Sequence, residues 1–211
     1  MANITKLTEQ YIAEHPFIKD CLKRGLINYS SLTRQICLDL ELDAKKNFDA
    51  VLIACRRFYR KVKSEPTTEK KILELLKNSK IEVKNKINAL VLEKSIHFPS
   101  VIEMEKEAKK SNDTFHIVEG ANAITIIASD DFAKKIRQAF RNRIVKENEG
   151  LVEIILKSPK EIETTAGVIS YLYSLLGENK VNIYETLSCW TDTIFLVEEK
   201  DLSRVMGLLR F

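Results

Sequence analysis

The chain has 211 residues, 45% hydrophobic and 30% charged, with a formal net charge of +4. That balance fits folded globular protein and excludes disorder as the default state, and no apolar run approaches the roughly 20 residues that a membrane-spanning helix needs. The N-terminus "MANITKLTEQ" has no apolar signal core, so a cytoplasmic location with no membrane partner is expected.

Residues 1–65 read as a helical domain. Leu7, Tyr11 and Ile12 mark a first amphipathic helix. Pro16 suits the first position of a second, carrying Phe17, Ile18, Cys21 and Leu22 and ended by Gly25. Ser30 or Ser31 can cap a third, with Leu32, Ile36 and Leu40 inward, and Asp43 can cap a fourth and longest, "AKKNFDAVLIACRRFYRKVK". On it Phe48, Val51, Leu52, Cys55, Phe58, Tyr59 and Val62 keep the three-and-four spacing of a buried stripe. This region is basic: residues 1–63 hold 12 Lys+Arg against 7 Asp+Glu, while the remainder holds one more acid than base. Two helices joined at "ELD" resemble a helix-turn-helix, in which the start of the second helix reaches base edges. On that reading Lys45, Lys46 and Asn47 face a DNA groove, and Arg56, Arg57 and Arg60 hold phosphates. A compact helical bundle with solvated basic residues is the alternative.

Pro66 and the polar stretch "SEPTTEKK" make residues 66–80 a linker with a short helix, "EKKILELLKNS". A first α/β domain follows over residues 81–149: strand "NALVLEKS", helix "PSVIEMEKEAKK", strands "DTFHIVEG" and "NAITIIAS", helix "DDFAKKIRQAF" capped by Asp130 or Asp131, and a weaker strand "RIVKENE". The order then restarts over residues 150–211: strand "LVEIILKSP", a helix from "ETTAGVISYLYSLLGEN" with Val168, Leu172 and Leu175 on one face, strands "VNIYETLSC" and "DTIFLVEE", and helix "KDLSRVMGLLR". The halves register at an offset of about 70 residues, as two copies of a small domain. The predicted class is α+β, a helical domain followed by two ferredoxin-like βαββαβ domains. The second copy ends at Phe211 without its closing strand, which is missing or comes from elsewhere. Edge-to-edge pairing of repeats or chains, and hence a homo-oligomer, is expected.

The second copy carries the clearest binding signal. Gly167 opens a helix, where free amides and the helix dipole favour a carboxylate, and Asn182 offers an amide at the next strand. The run "TTAGVISYLYSLLGENKVNIYETLSCWTDTIFLVEEKD" resembles an ACT domain, the ligand-responsive module of amino-acid metabolism, and the tandem arrangement resembles the regulatory end of aspartate kinases. Family modules read Pro-Gly where this chain has Ala166-Gly167. The resemblance implies an amino-acid effector held by Thr164, Thr165, Ala166, Gly167, Val168, Asn182 and Ile183. Gly167 could equally serve helix-sheet packing, Asn182 a turn and Ile183 the core.

Catalysis is not expected, since no GxSxG, Walker, GxGxxG or HExxH motif occurs. Cys189, in "SCWTD", lies where a hairpin turns and lacks a base nearby in sequence. The four cysteines and three histidines show no metal spacing, so neither metal nor cofactor is expected. The sequence reads as a non-enzymatic regulator that senses an amino acid and passes the signal to a helical domain that binds DNA. The alternative is a protein interaction module, or regulatory subunit of an amino-acid biosynthetic enzyme, without its own ligand.

Overall fold

The computed structural model describes residues 3–63 and 68–211. The polar break around Pro66 therefore lies largely outside the described residues. The chain divides into two compact units, residues 1–67 and 68–211.

The first unit is a bundle of α1 (Ile4–Glu14), α2 (Pro16–Lys23), α3 (Tyr29–Asp39) and α4 (Ala44–Val62). Each boundary has a local cause. Asn3 caps α1, and Pro16 starts α2, where its missing N–H costs nothing. Gly25, at φ +71°, ends α2, and the Leu26 N–H then reaches back to the Cys21 carbonyl at 2.9 Å. Asn28 caps α3 by accepting from the Ser31 amide at 3.0 Å, so the cap lies just before the two serines expected to supply it. Asp43 caps α4 through the Lys45 amide, also at 3.0 Å. The core joins Tyr11, Ile12, Leu22, Leu32, Ile36, Cys37, Val51, Cys55, Phe58 and Val62. On α2 only Leu22 is buried; Ile18 is half-buried, while Phe17 and Cys21 are exposed, against the expected four-residue stripe. Tyr11 donates to Asp39 Oδ2 at 2.5 Å, tying α1 to the last turn of α3.

The second unit runs α5 (Thr68–Lys77), β1 (Lys80–Glu93), α6 (Phe98–Ser111), β2 (Phe115–Glu119), β3 (Ala123–Ser129), α7 (Asp130–Phe140), β4 (Ile144–Lys157), α8 (Val168–Glu178), β5 (Glu185–Cys189), β6 (Asp192–Glu198) and α9 (Leu202–Leu208). All neighbouring strands are antiparallel, in the order β2-β3-β1-β4-β6-β5. The fold class is α+β, a helical bundle followed by two ferredoxin-like, ACT-like repeats.

β1 and β4 differ from the sequence reading. β1 starts at Lys80, well before "NALVLEKS", and "RIVKENE" and "LVEIILKSP" are one strand. Each of these long strands serves both repeats. The later part of β1 pairs with β3 and with the first half of β4, giving the first repeat its order 2-3-1-4. Residues 80–84 pair instead with residues 153–157, from Lys80↔Lys157 to Lys84↔Glu153. The closing strand of the second repeat is thus the start of β1, supplied from earlier in the same chain. Where the strands pass from one repeat to the other, register shifts, and Lys86 and Gly150 take φ +58° and +65°.

The sheet folds over on itself at these crossings. β3 and β1 lie between β2 and β4, which in a flat sheet separates them by about 14 Å. Yet His116 Nε2 on β2 lies 3.3 Å from Glu153 Oε2 on β4. One buried cluster also joins Ile127 of β3 to Ile194 and Leu196 of β6, with Ile87, Ala89, Leu151 and Ile155 between. The repeats therefore pack sheet face to sheet face, and their helices cover the outer faces. In the first, Leu90, Leu92, Ile124 and Ile126 meet Val101, Phe132 and Ile136. In the second, Val152, Ile154, Phe195 and Val197 meet Val168, Leu172, Leu176 and Val205. Leu176 takes the central place expected for Leu175, which is half-buried. Ile72, Leu75 and Leu76 of α5 complete this core, so the short helix is an integral part of the second repeat. Ser129 stands at the cap of α7, and Asp130 and Asp131 occupy its first turn rather than the cap.

Candidate functional site

The candidate effector loop begins where β4 ends. Ser158 is buried; its amide donates to the Thr191 carbonyl at 2.9 Å, and it accepts from the Ser79 hydroxyl at 3.0 Å. Those two bonds fix the loop to the β5–β6 hairpin and to the end of α5. Pro159 then starts one short 3-10 turn, Lys160–Glu163. The hydroxyls of Thr164 and Thr165 both donate to the Glu161 carbonyl, at 3.3 and 2.7 Å. Gly167 takes φ +90°, a conformation that only glycine adopts without strain, and swings the chain into α8. No side chain caps α8 there, and the first intrahelical bond runs from the Tyr171 amide to the Gly167 carbonyl. The early amides of α8 remain donors for something outside the helix.

The seven residues expected to hold an effector fall into three groups. Thr165 lines an open groove of about 380 Å³ with Pro159 and Glu161 on the loop and Lys71, Glu74, Leu75 and Asn78 on α5. Thr164, Ala166 and Gly167 continue the exposed loop beside it. Val168 is buried in the repeat's core and Ile183 packs against that core, and neither lines the groove. Asn182 is exposed and directed elsewhere, to the hydroxyl of Tyr184. Tyr184 in turn donates to Glu198 Oε1 at 2.5 Å, which is the main reason its pKa is raised. Glu198 is held below the usual carboxylate range, first by Lys200 and then by Tyr184. Strand β5 starts at Glu185, so residues 181–184 precede it rather than belonging to it.

The α5 side of the groove was not anticipated. The apolar spacing of Ile72, Leu75 and Leu76 indicates a docked helix, but where it docks depends on contacts with residues far along the chain. Its chemistry is mixed: an ammonium on Lys71 and carboxylates on Glu74 and Glu161. Part of the polar lining is already engaged, since the Asn78 amide donates to the Glu74 carbonyl at 2.8 Å.

The six residues expected to meet nucleic acid form two separate sets. Lys45 is exposed, Lys46 pairs with Asp43 at 3.4 Å, and the Asn47 amide donates to the Asp43 carbonyl at 3.0 Å. Arg56, Arg57 and Arg60 are exposed in the other half of α4. Lys45 and Arg56 lie about 17 Å apart along the axis at 1.5 Å per residue.

Cys189 and Asp192 are opposite residues at the end of the β5–β6 ladder, with Trp190 and Thr191 as the turn. Trp190 has φ +53°, stands 64% exposed and receives Lys160 over its ring at 5.5 Å. Cys189 is an exposed thiol, and His116, which faces Glu153, serves the inter-repeat interface. Among the described residues no group of three His, Cys, Asp or Glu side chains could hold a metal ion, and no helix is long and apolar enough to cross a membrane.

No family model matches the chain, and no curated protein matches it. Solved structures do. The aspartate kinase of Clostridium acetobutylicum is 14% identical at TM-score 0.49, over 62% of this chain and 33% of that one. The regulatory subunit of aspartate kinase from Thermus thermophilus, in its ligand-free form, is 9% identical at TM-score 0.48, over 62% of this chain and 95% of that one. Aspartokinase III of E. coli, in complex with aspartate and ADP, is 15% identical at TM-score 0.45, over 61% and 32%. The chain thus matches about a third of the length of the two kinases, and no residue role passes across likenesses this distant.

Proposed function

We propose that this protein is a non-catalytic regulator whose second repeat binds a small zwitterion, an amino acid, in the groove between α5 and the loop before Gly167. The observation that carries the reading is the lining of that groove. Its volume of about 380 Å³ lies in the range of small-molecule sites, roughly 300–1,000 Å³. Lys71 suits a carboxylate, and Glu74 and Glu161 suit an ammonium group. Thr164, Thr165, Ala166 and Gly167 form the loop that would close on the ligand, while Val168 and Ile183 belong to the repeat's core. Asn182 contributes through Tyr184 rather than directly.

A ligand bridging the loop and α5 would favour the state in which α5 is docked. Since α5 directly follows the helical unit in sequence, effector occupancy has a route to that unit and to DNA or a protein bound there. The open edges of β2 and β5 offer a second route, through association of copies of the chain. Calorimetric titration with each of the common amino acids tests the reading. Binding of at least one, weakened about tenfold or more by Lys71→Met or Glu161→Gln, supports it; no heat with any of them refutes it.

A second reading, a protein interaction module or regulatory subunit of an amino-acid biosynthetic enzyme with no ligand of its own, is favoured by the exposed arginines of α4. Under it, the chain binds a partner protein with the groove empty.

A further inference from the structure

The exposed face of α4 has an unusual composition. Ile53 is 49% exposed in the middle of the helix. Arg56, Arg57 and Arg60 follow it at three, four and seven residues, an arc of about 100° at 3.6 residues per turn. The buried stripe of Val51, Ala54, Cys55, Phe58 and Val62 lies on the opposite side. The three arginines are exposed, and none has a carboxylate partner among the described residues.

Two observations decide between a nucleic acid and a protein as the occupant. The first is apolar exposure: Phe17, Leu26, Leu38 and Ile53, four of the eight large exposed hydrophobic residues described, belong to the small helical unit. Phosphate backbone has no use for an isoleucine at the centre of a contact, whereas protein interfaces combine an apolar centre with arginine around it. The second is Asp49, exposed one turn before Ile53 on the same face, with Lys46 already paired to Asp43. The arginines are therefore confined to residues 56–60, about 6 Å of helix, which suits a few carboxylates of a peptide and is short for a surface that tracks phosphates.

We infer that this face of α4 is a docking surface for an acidic, amphipathic segment of a partner protein, with an apolar side chain seated on Ile53 and carboxylates forked by Arg56, Arg57 and Arg60. Guanidinium forks match carboxylates in paired hydrogen bonds, which an ammonium cannot copy. The inference rests on the interaction reading and is independent of the effector groove.

The test uses the full chain and three fluorescein-labelled probes in anisotropy titrations: a helical peptide with a leucine face flanked by glutamates, the same composition scrambled, and random-sequence duplex DNA. Ile53→Glu and Arg57→Glu are solvent-facing changes, and circular dichroism checks that both variants fold. The expected result is saturable binding of the amphipathic peptide, weakened about tenfold or more by either substitution, with the scrambled peptide at least about tenfold weaker. Peptide binding unaffected by both substitutions would overturn the assignment of the surface while leaving a protein-binding role standing. DNA binding that is lost with Arg57→Glu but kept with Ile53→Glu, or no binding of the amphipathic peptide, would overturn the partner chemistry.

Discussion

Glu153 offers a sharp test of the face-to-face packing of the repeats. Its side chain is fully buried, whereas its two partners are not: the side chains of Lys84 and His116 are 37% and 29% exposed. Lys84 Nζ lies 3.5 Å from Oε1, which has no hydrogen-bond partner, and His116 Nε2 lies 3.3 Å from Oε2. Removing the Lys84 ammonium therefore strands a buried carboxylate, while removing the carboxylate leaves the Lys84 and His116 side chains able to turn to water. Breaking a buried pair typically costs about 3–5 kcal/mol, and with His116 still in place about half of that, about 2 kcal/mol, is expected for Lys84→Met. Glu153→Met puts a side chain of similar length among Ile87, Leu151, Ile155 and Leu196, and should change stability by no more than about 1 kcal/mol. Urea unfolding can be followed by Trp190, the single tryptophan, which lies on the hairpin of the second repeat. At an m-value of about 2 kcal/mol/M, Lys84→Met should lower the midpoint by about 1 M. Glu153→Met costing as much as Lys84→Met would mean instead that the carboxylate stabilises the fold by more than its desolvation costs.

Gly167→Ala should destabilise the second unit by about 1 kcal/mol, since φ +90° strains any residue with a Cβ, and should weaken effector binding in the same calorimetric assay. Leu76→Ala, which removes a buried α5 side chain from the second repeat's core, should cost about 3 kcal/mol in Trp190-monitored urea unfolding; a loss under about 1 kcal/mol would mean that α5 is not held there. Thiol labelling at mildly alkaline pH should modify the exposed Cys21 and Cys189 quickly and spare Cys37 and Cys55 until unfolding, because burial pushes Cys55 up to about 11 and raises Cys37 as well. Burial, with the bond to Asp39, raises Tyr11 from 10.0 to about 12. As folding favours the protonated phenol, its contribution is complete below pH 10 and is lost as pH rises towards about 12. Tyr11→Phe should therefore lower stability by about 1 kcal/mol at neutral pH and flatten the alkaline fall in melting temperature over that interval.

Signals carried within a few residues were legible in the sequence. Asp43 ahead of a long amphipathic run gave the α4 cap, and Gly167 ahead of an apolar helix gave the positive-φ turn. The cap of α3 was misplaced by two or three residues because Asn28 and the serines are chemically alike as caps. What could not be read locally was pairing. Residues 80–87, "KIEVKNKI", set Ile81 and Val83 between charges as a strand does, but the partner of residues 80–84, residues 153–157, is not visible locally. Gly150 looked like a boundary, yet the fold uses it as a bulge inside one strand. Half of the candidate site had the same difficulty. The loop was visible from Gly167, but Lys71, Glu74 and Asn78 join it only because Ile72, Leu75 and Leu76 bury in the second repeat's core.

The groove itself is tested most directly by backbone amide NMR of the full chain, titrated with whichever amino acid calorimetry identifies. Shifts are expected on residues 71–78 and 160–167, with the amides of the α6–α7 helices unmoved. Shifts centred on the first repeat, or absent from both α5 and the Gly167 loop, would contradict it.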